Sequence, residues 1–180
     1  MKIEWVHFPL HPNTPAEGRR LSDMFAGRGI DLNAMHQRMS EEMAAENLPY
    51  SKRTHTYNSR LAQELGKWGD TTDHGDALHD ALYRAYFVDG RDISNIDELV
   101  AIAVATGLDA GTARSVLVER RFSAAIDADW EKSQDYGVTG VPTFAVLGMS
   151  VPGAQPYEVL QRMVEKATEV RDRKRADQAT

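Results

Sequence analysis

The chain has 180 residues, 42% of them hydrophobic and 27% charged, enough for one ordinary domain with a real core or a small domain carrying a large insertion. Acidic residues number 27 against 21 basic ones, a formal charge of -6, which leaves no electrostatic footprint for nucleic acid. No apolar run approaches the roughly 20 residues that span a bilayer, and Met1-Lys2-Ile3-Glu4-Trp5 lacks a signal-peptide layout, so the sequence predicts a cytoplasmic chain with neither a nucleic-acid nor a membrane partner; it has no cysteine and so no disulfide, which is compatible with that compartment without pointing to it.

Lys2 to Phe8, rich in β-branched and aromatic residues, reads as a strand that stops at Pro9-Leu10-His11-Pro12, where two prolines remove donors. Thr14-Pro15-Ala16-Glu17 then offers an N-cap and a proline at the first helical position, predicting a short helix to about Phe25 ended by Gly27 and Gly29. The spacing of Met35, Met39 and Met43 predicts a helix over 33–46 that stops before Asn47-Leu48-Pro49. Tyr50 to Tyr57 is polar and irregular.

The middle is helical with clear punctuation. Leu61 and Leu65 mark a helix over 59–68, broken at Gly69-Asp70. From His74, the residues Leu78, Ala81, Leu82, Ala85 and Tyr86 share one face up to Asp89-Gly90. Asn95 caps the next helix with Glu98 three residues on, and Asp109 caps another that carries Ala113, Val116 and Leu117. Phe122, Ala125, Ile126 and Trp130 define one more, ending at Tyr136-Gly137. After Pro142, Thr143 to Leu147 reads as a strand, Gly148-Met149 as a turn and Ser150 to Pro152 as its hairpin partner. Pro156 opens a last helix with Leu160, Met163, Val164 and Ala167 inward, and the polar tail beyond Arg171 is expected to fray.

Three motifs stand out in this order: Tyr83-Arg84-Ala85-Tyr86-Phe87-Val88-Asp89-Gly90-Arg91-Asp92-Ile93-Ser94, then Gly137-Val138-Thr139-Gly140-Val141-Pro142-Thr143-Phe144, then Gly153-Ala154-Gln155-Pro156. Together they resemble the helical insertion, the cis-proline loop and the last-helix entry of DsbA-like thioredoxin-fold proteins of the FrnE type. Trp5 to Pro12 is similar to that family's second core strand and the loop after it. The resemblance implies an α/β fold: an incomplete thioredoxin-like core from 1–14 and 136–170, lacking its first central strand and helix, with an all-helical insertion over 15–135 in a single 1–180 domain. By the same alignment, the family's Cys-Pro-x-Cys motif falls before Lys2.

The implied chemistry is dithiol-disulfide oxidoreductase or isomerase activity. Exchange needs an attacking thiolate and a resolving sulfur, and with no cysteine this polypeptide is expected to be redox-inactive and to have no catalytic residue of its own. Either the start is assigned inside a longer reading frame that encodes the motif, or the chain is a truncated or degenerate relative. The resemblance implies that Gly140, Val141, Pro142 and Thr143 bind an extended peptide or thiol substrate, because a cis bond leaves the preceding backbone free to pair. One alternative is a non-catalytic peptide-binding or assembly module. Another is a glutathione-handling isomerase of the hydroxychromene-carboxylate isomerase type, whose serine would also fall in the absent segment. A missing central strand leaves unpaired edges on both sides, which predicts a homo-oligomer through the exposed sheet edges.

The remaining candidates read as ordinary structure. His74 and His79, five apart, do not stack on one face and are expected to be solvated or capping, with no metal and no cofactor. His7 and His11 flank the strand end, where a supporting role or a plain surface role is open. Met35, Met39 and Met43 read as core packing, Asp127 and Asp129 as a solvated face, and Arg171-Asp172-Arg173-Lys174-Arg175 as a solvated tail.

Overall fold

The computed structural model describes residues 3–178. Met1, Lys2, Ala179 and Thr180 lie outside them, and with them the first residue of the expected N-terminal strand and the tip of the tail. The chain is a mixed α/β protein that divides into two units, His11–Asp127 and the pair of segments Met1–Leu10 and Ala128–Thr180.

The first of these is helical. Its elements run β1 (Arg19–Arg20), α1 (Leu21–Met24), α2 (Leu32–Ala45), β2 (His55–Thr56), α3 (Arg60–Gly69), α4 (Gly75–Phe87), α5 (Ile96–Ala105), α6 (Ala110–Val118) and the opening of α7 (Ser123–Asp135). Leu65, Leu78, Leu99, Val100, Val116 and Leu117 interlock from α3 to α6 to form the core. Two caps are those the sequence predicts: Asn95 Oδ1 accepts from the backbone of Asp97 and Glu98, and Asp109 Oδ1 from Thr112. Asp31 does the same for α2, taking Asn33 and Ala34.

Some expectations fail in this unit. The helix expected over Pro15–Phe25 is only the four residues of α1, because Gly18 sits at φ 77 and Arg19–Arg20 pairs with His55–Thr56, antiparallel and register-opposed as Arg19 to Thr56 and Arg20 to His55. Thr14 turns its hydroxyl to His11 O instead of capping a helix. The methionine stripe of α2 is not core: Met35 and Met39 are 37% and 41% exposed, and the buried residue of the helix is His36. Spacing sets which residues share a helical face; it does not supply an element to cover it.

In the other unit, α7 leads through a loop into β3 (Thr143–Val146), which pairs antiparallel with β4 (Met149–Pro152), and α8 (Tyr157–Gln178) packs on β3. The hairpin turn is Leu147-Gly148, both at positive φ (47 and 78), the backbone a two-residue connection requires. Residues 3–9 form no strand, because no described strand pairs with them. They are tethered to α7 by Lys132 Nζ to Glu4 Oε1 at 2.7 Å and by His7 N–H donating to Asp129 Oδ2 at 3.2 Å. Asp129 is therefore buried, not part of a solvated face. α8 continues in helical form past Arg171 to Gln178, where the polar composition predicts fraying.

Candidate functional site

The loop between α7 and β3 is shaped from both ends. At the helix end, Val138 N–H reaches back to Ser133 O (3.0 Å) and Gly137 N–H to Gln134 O (2.8 Å), the paired bonds of a Schellman cap, with Gly137 at φ 66 as that motif demands. At the strand end, Thr143 Oγ1 donates to Gly140 O at 2.7 Å and Gly153 N–H donates to Pro142 O at 2.7 Å. The Val141–Pro142 peptide bond is cis. Val141 is 53% exposed and Pro142 is open beside it.

The strand that follows has one used edge and one unused. Antiparallel pairs alternate between those that exchange hydrogen bonds and those that do not. With Pro142–Gly153 bonded and the register Thr143 to Pro152, Phe144 to Val151, Ala145 to Ser150 and Val146 to Met149, the bonded positions are 142, 144 and 146. Thr143 and Ala145 consequently turn their N–H and C=O groups away from β4. Among the described residues, no strand meets that side of β3. Phe144 (39% exposed) and Leu147 also stand open on this hairpin.

The structure thus places Gly140, Val141, Pro142 and Thr143 as one contiguous turn that opens directly onto an unpaired strand edge. The histidines are dispersed. His79 is buried, with Nε2 2.8 Å from Asp70 Oδ1, so it is neither solvated nor capping as the sequence suggests. His74 lies against Gly107, where a Cβ would come within 3.1 Å of its ring. His7 is half-buried, its backbone held by Asp129, and His11 is exposed with its ring pKa held down by partial burial and then by Arg28.

Two clusters escape the sequence reading. Glu64, fully buried, receives Arg60 Nε at 2.9 Å on Oε1, and Arg120 reaches both of its oxygens at 2.6 and 2.9 Å. Burial pushes its carboxyl up, but the hydrogen bonds from Arg120 and Arg60 and their charges outweigh that and hold it below the ordinary glutamate range. The Arg60–Glu64 spacing is visible as an i,i+4 pair, whereas Arg120 arrives from 56 residues away with no local signal. The second cluster is a basic cleft around Arg53.

A family model described as a DSBA-like thioredoxin domain matches residues 1–165. The chain superposes on the crystal structure of a probable DsbA oxidoreductase from Streptomyces coelicolor with a TM-score of 0.81 and 30% identity, over 89% of this chain and 72% of that one. A candidate protein disulfide isomerase from Nitrosomonas europaea matches with a TM-score of 0.62 over 76% of this chain and 73% of its own; at 13% identity it speaks for the fold alone. An uncharacterized Bacillus subtilis protein, YwbO, is 25% identical over 169 residues, which cover 91% of this chain and 81% of the relative. With a domain match from end to near-end and a well-superposed relative at 30% identity, the chain belongs to the DsbA-like thioredoxin family.

Proposed function

We propose that this chain is a substrate-holding member of the dithiol-disulfide oxidoreductase/isomerase family, of the FrnE type, which docks an extended peptide or thiol substrate at Gly140–Thr143 and along β3 without redox turnover of its own. The observation that carries this reading is the outward-facing N–H and C=O groups of Thr143 and Ala145, adjoining the cis-proline turn. An added strand would gain main-chain hydrogen bonds there, the mode of β-augmentation. The absence of cysteine from all 180 residues removes both sulfurs that exchange requires. A second copy of the chain is one source of a pairing strand, so homo-oligomer formation and peptide binding compete for β3, and the compartment is the cytoplasm.

Fluorescence anisotropy with labelled extended peptides tests the docking mode. Ala145→Pro deletes an outward N–H at a position where an edge strand tolerates proline, and is expected to weaken binding at least tenfold while leaving the far-UV spectrum unchanged. Unaltered affinity in that variant would sink the edge-docking reading. Insulin reduction with turnover by the purified chain would sink the redox-inactive one, and stabilisation by glutathione alone would favour the isomerase alternative.

A further inference from the structure

The polar segment after α2 builds a cleft that the β3 edge does not use. It encloses about 100 Å³ and is lined by Lys52, Arg53, Thr54, His55, Tyr57, Tyr86 and Gly90. That is room for a few waters or one phosphate-sized group. The walls are fixed: Ser51 N–H bonds Phe87 O, Thr56 Oγ1 and Tyr86 OH lie 3.0 Å apart, and the Arg53 guanidinium carbon sits 4.3 Å from the Tyr86 ring centre and 4.9 Å from that of Phe87. Gly18 lets Tyr57 close in, since a Cβ there would lie 2.7 Å from its ring.

The charge is one-sided. In a chain of net -6, three of the lining side chains are basic and none is acidic; Asp89, beside Gly90, is exposed and outside the lining. Arg20 faces His55 across the β1–β2 pair and adds a fourth basic residue nearby. Among the described residues, neither Lys52 nor Arg53 has an acidic partner; Lys52 Nζ bonds only the Asn33 amide oxygen, Arg53 Nη1 reaches His55 O at the long distance of 3.5 Å, and Arg53 Nε is buried with no hydrogen-bond partner. Buried charged donors without partners are uncommon in folded proteins. The field reaches the neighbouring His36, whose ring pKa is lowered first by burial and then by Lys52 and Arg53.

We propose that this cleft binds a phosphate group, either as inorganic phosphate or as the end of a phosphomonoester. A guanidinium fork stacked on aromatic rings presents fixed N–H donors to an oxyanion, and Lys52 and His55 supply donors from the other walls.

Amide chemical shifts of the full chain, titrated with inorganic phosphate and with methyl phosphate at ionic strength held constant by sodium chloride, test this. Saturable shifts centred on Arg53, Thr54, His55 and Gly90 are expected. Lys52→Gln and Arg53→Met should each weaken binding at least tenfold, and Arg173→Gln on α8 should not. Because Arg53 also stacks in the fold, Lys52→Gln, whose side chain is exposed, keeps the test decisive if Arg53→Met unfolds. Methyl phosphate equal to or better than phosphate supports a phosphomonoester ligand, and the reverse supports the free ion. Shifts that rise linearly without saturating, or that are identical in Lys52→Gln and the wild type, overturn the proposal.

Discussion

Replacing Glu64 with glutamine isolates the one fully buried charge of the helical unit. Three charge-assisted hydrogen bonds converge on this carboxylate, each worth about 1.5–3 kcal/mol when a charged group is involved. The whole of that is not lost. Arg60 keeps Asp127 at 2.6 Å and Ser123 O at 2.8 Å, and Arg120, about half exposed, regains water. Breaking a buried pair costs about 3–5 kcal/mol when the partner is stranded, so Glu64→Gln should cost about 2–4 kcal/mol at pH 7. Arg120→Ala leaves Glu64 held by Arg60 and should cost about half as much. Urea unfolding followed through Trp68, which lies in this core, with Trp5 and Trp130 changed to phenylalanine, reads the effect directly. With a slope of about 2 kcal/mol/M, the midpoint should fall by about 1–2 M. The pH dependence has a definite sign. A carboxyl whose folded pKa lies below its unfolded value stabilises the fold fully above the ordinary glutamate pKa, about 4.3, and that contribution disappears as pH falls through the lower folded value. The gap between wild type and Glu64→Gln should therefore narrow below pH 4. A midpoint shift under about 0.3 M at pH 7, or a gap that stays constant down to pH 3, would refute the reasoning.

Other substitutions probe other layers of the fold. Leu99→Ala removes a fully buried side chain from the α3–α6 core and should cost about 3 kcal/mol by chemical denaturation. Asn95→Ala deletes the cap of α5, whose oxygen holds two backbone N–H groups, for about 1 kcal/mol, measurable by the same unfolding curve. Gly137→Ala meets no neighbour within 4 Å, so its cost of about 1 kcal/mol is purely conformational, from the φ of 66, and should register as a lower melting temperature with unchanged helix content.

How much of the fold is readable in the sequence follows the range of the interactions. Helices α3 to α6 are legible because their signals are local: Asn95 and Asp109 cap within three residues, and the apolar faces repeat within one helix. The turn around Pro142 is local in the same way, since its glycines and Thr143 act within the same few residues. What fails depends on distant partners. Strand propensity from Ile3 to Phe8 comes to nothing without a ladder neighbour, and Arg19–Arg20 is a strand only because His55–Thr56 passes alongside. The stripe of α2 announces a helix but not its neighbours, and the trio at Glu64 and the cleft at Arg53 are assembled across 56 and about 30 residues, beyond any spacing rule.

The helical unit is one uninterrupted run of chain, whereas the pairing of Glu4 with Lys132 and of His7 with Asp129 joins segments 128 and 122 residues apart. Closing so large a loop from an unfolded chain carries an entropic cost that grows with the logarithm of its length. If the intervening run folds first, most of the loop's conformational freedom is already spent and the closure costs less. The order of assembly is thereby written into connectivity: local helices early, terminal segments last. Hydrogen exchange after a refolding pulse should find the α3–α6 amides protected before that of His7.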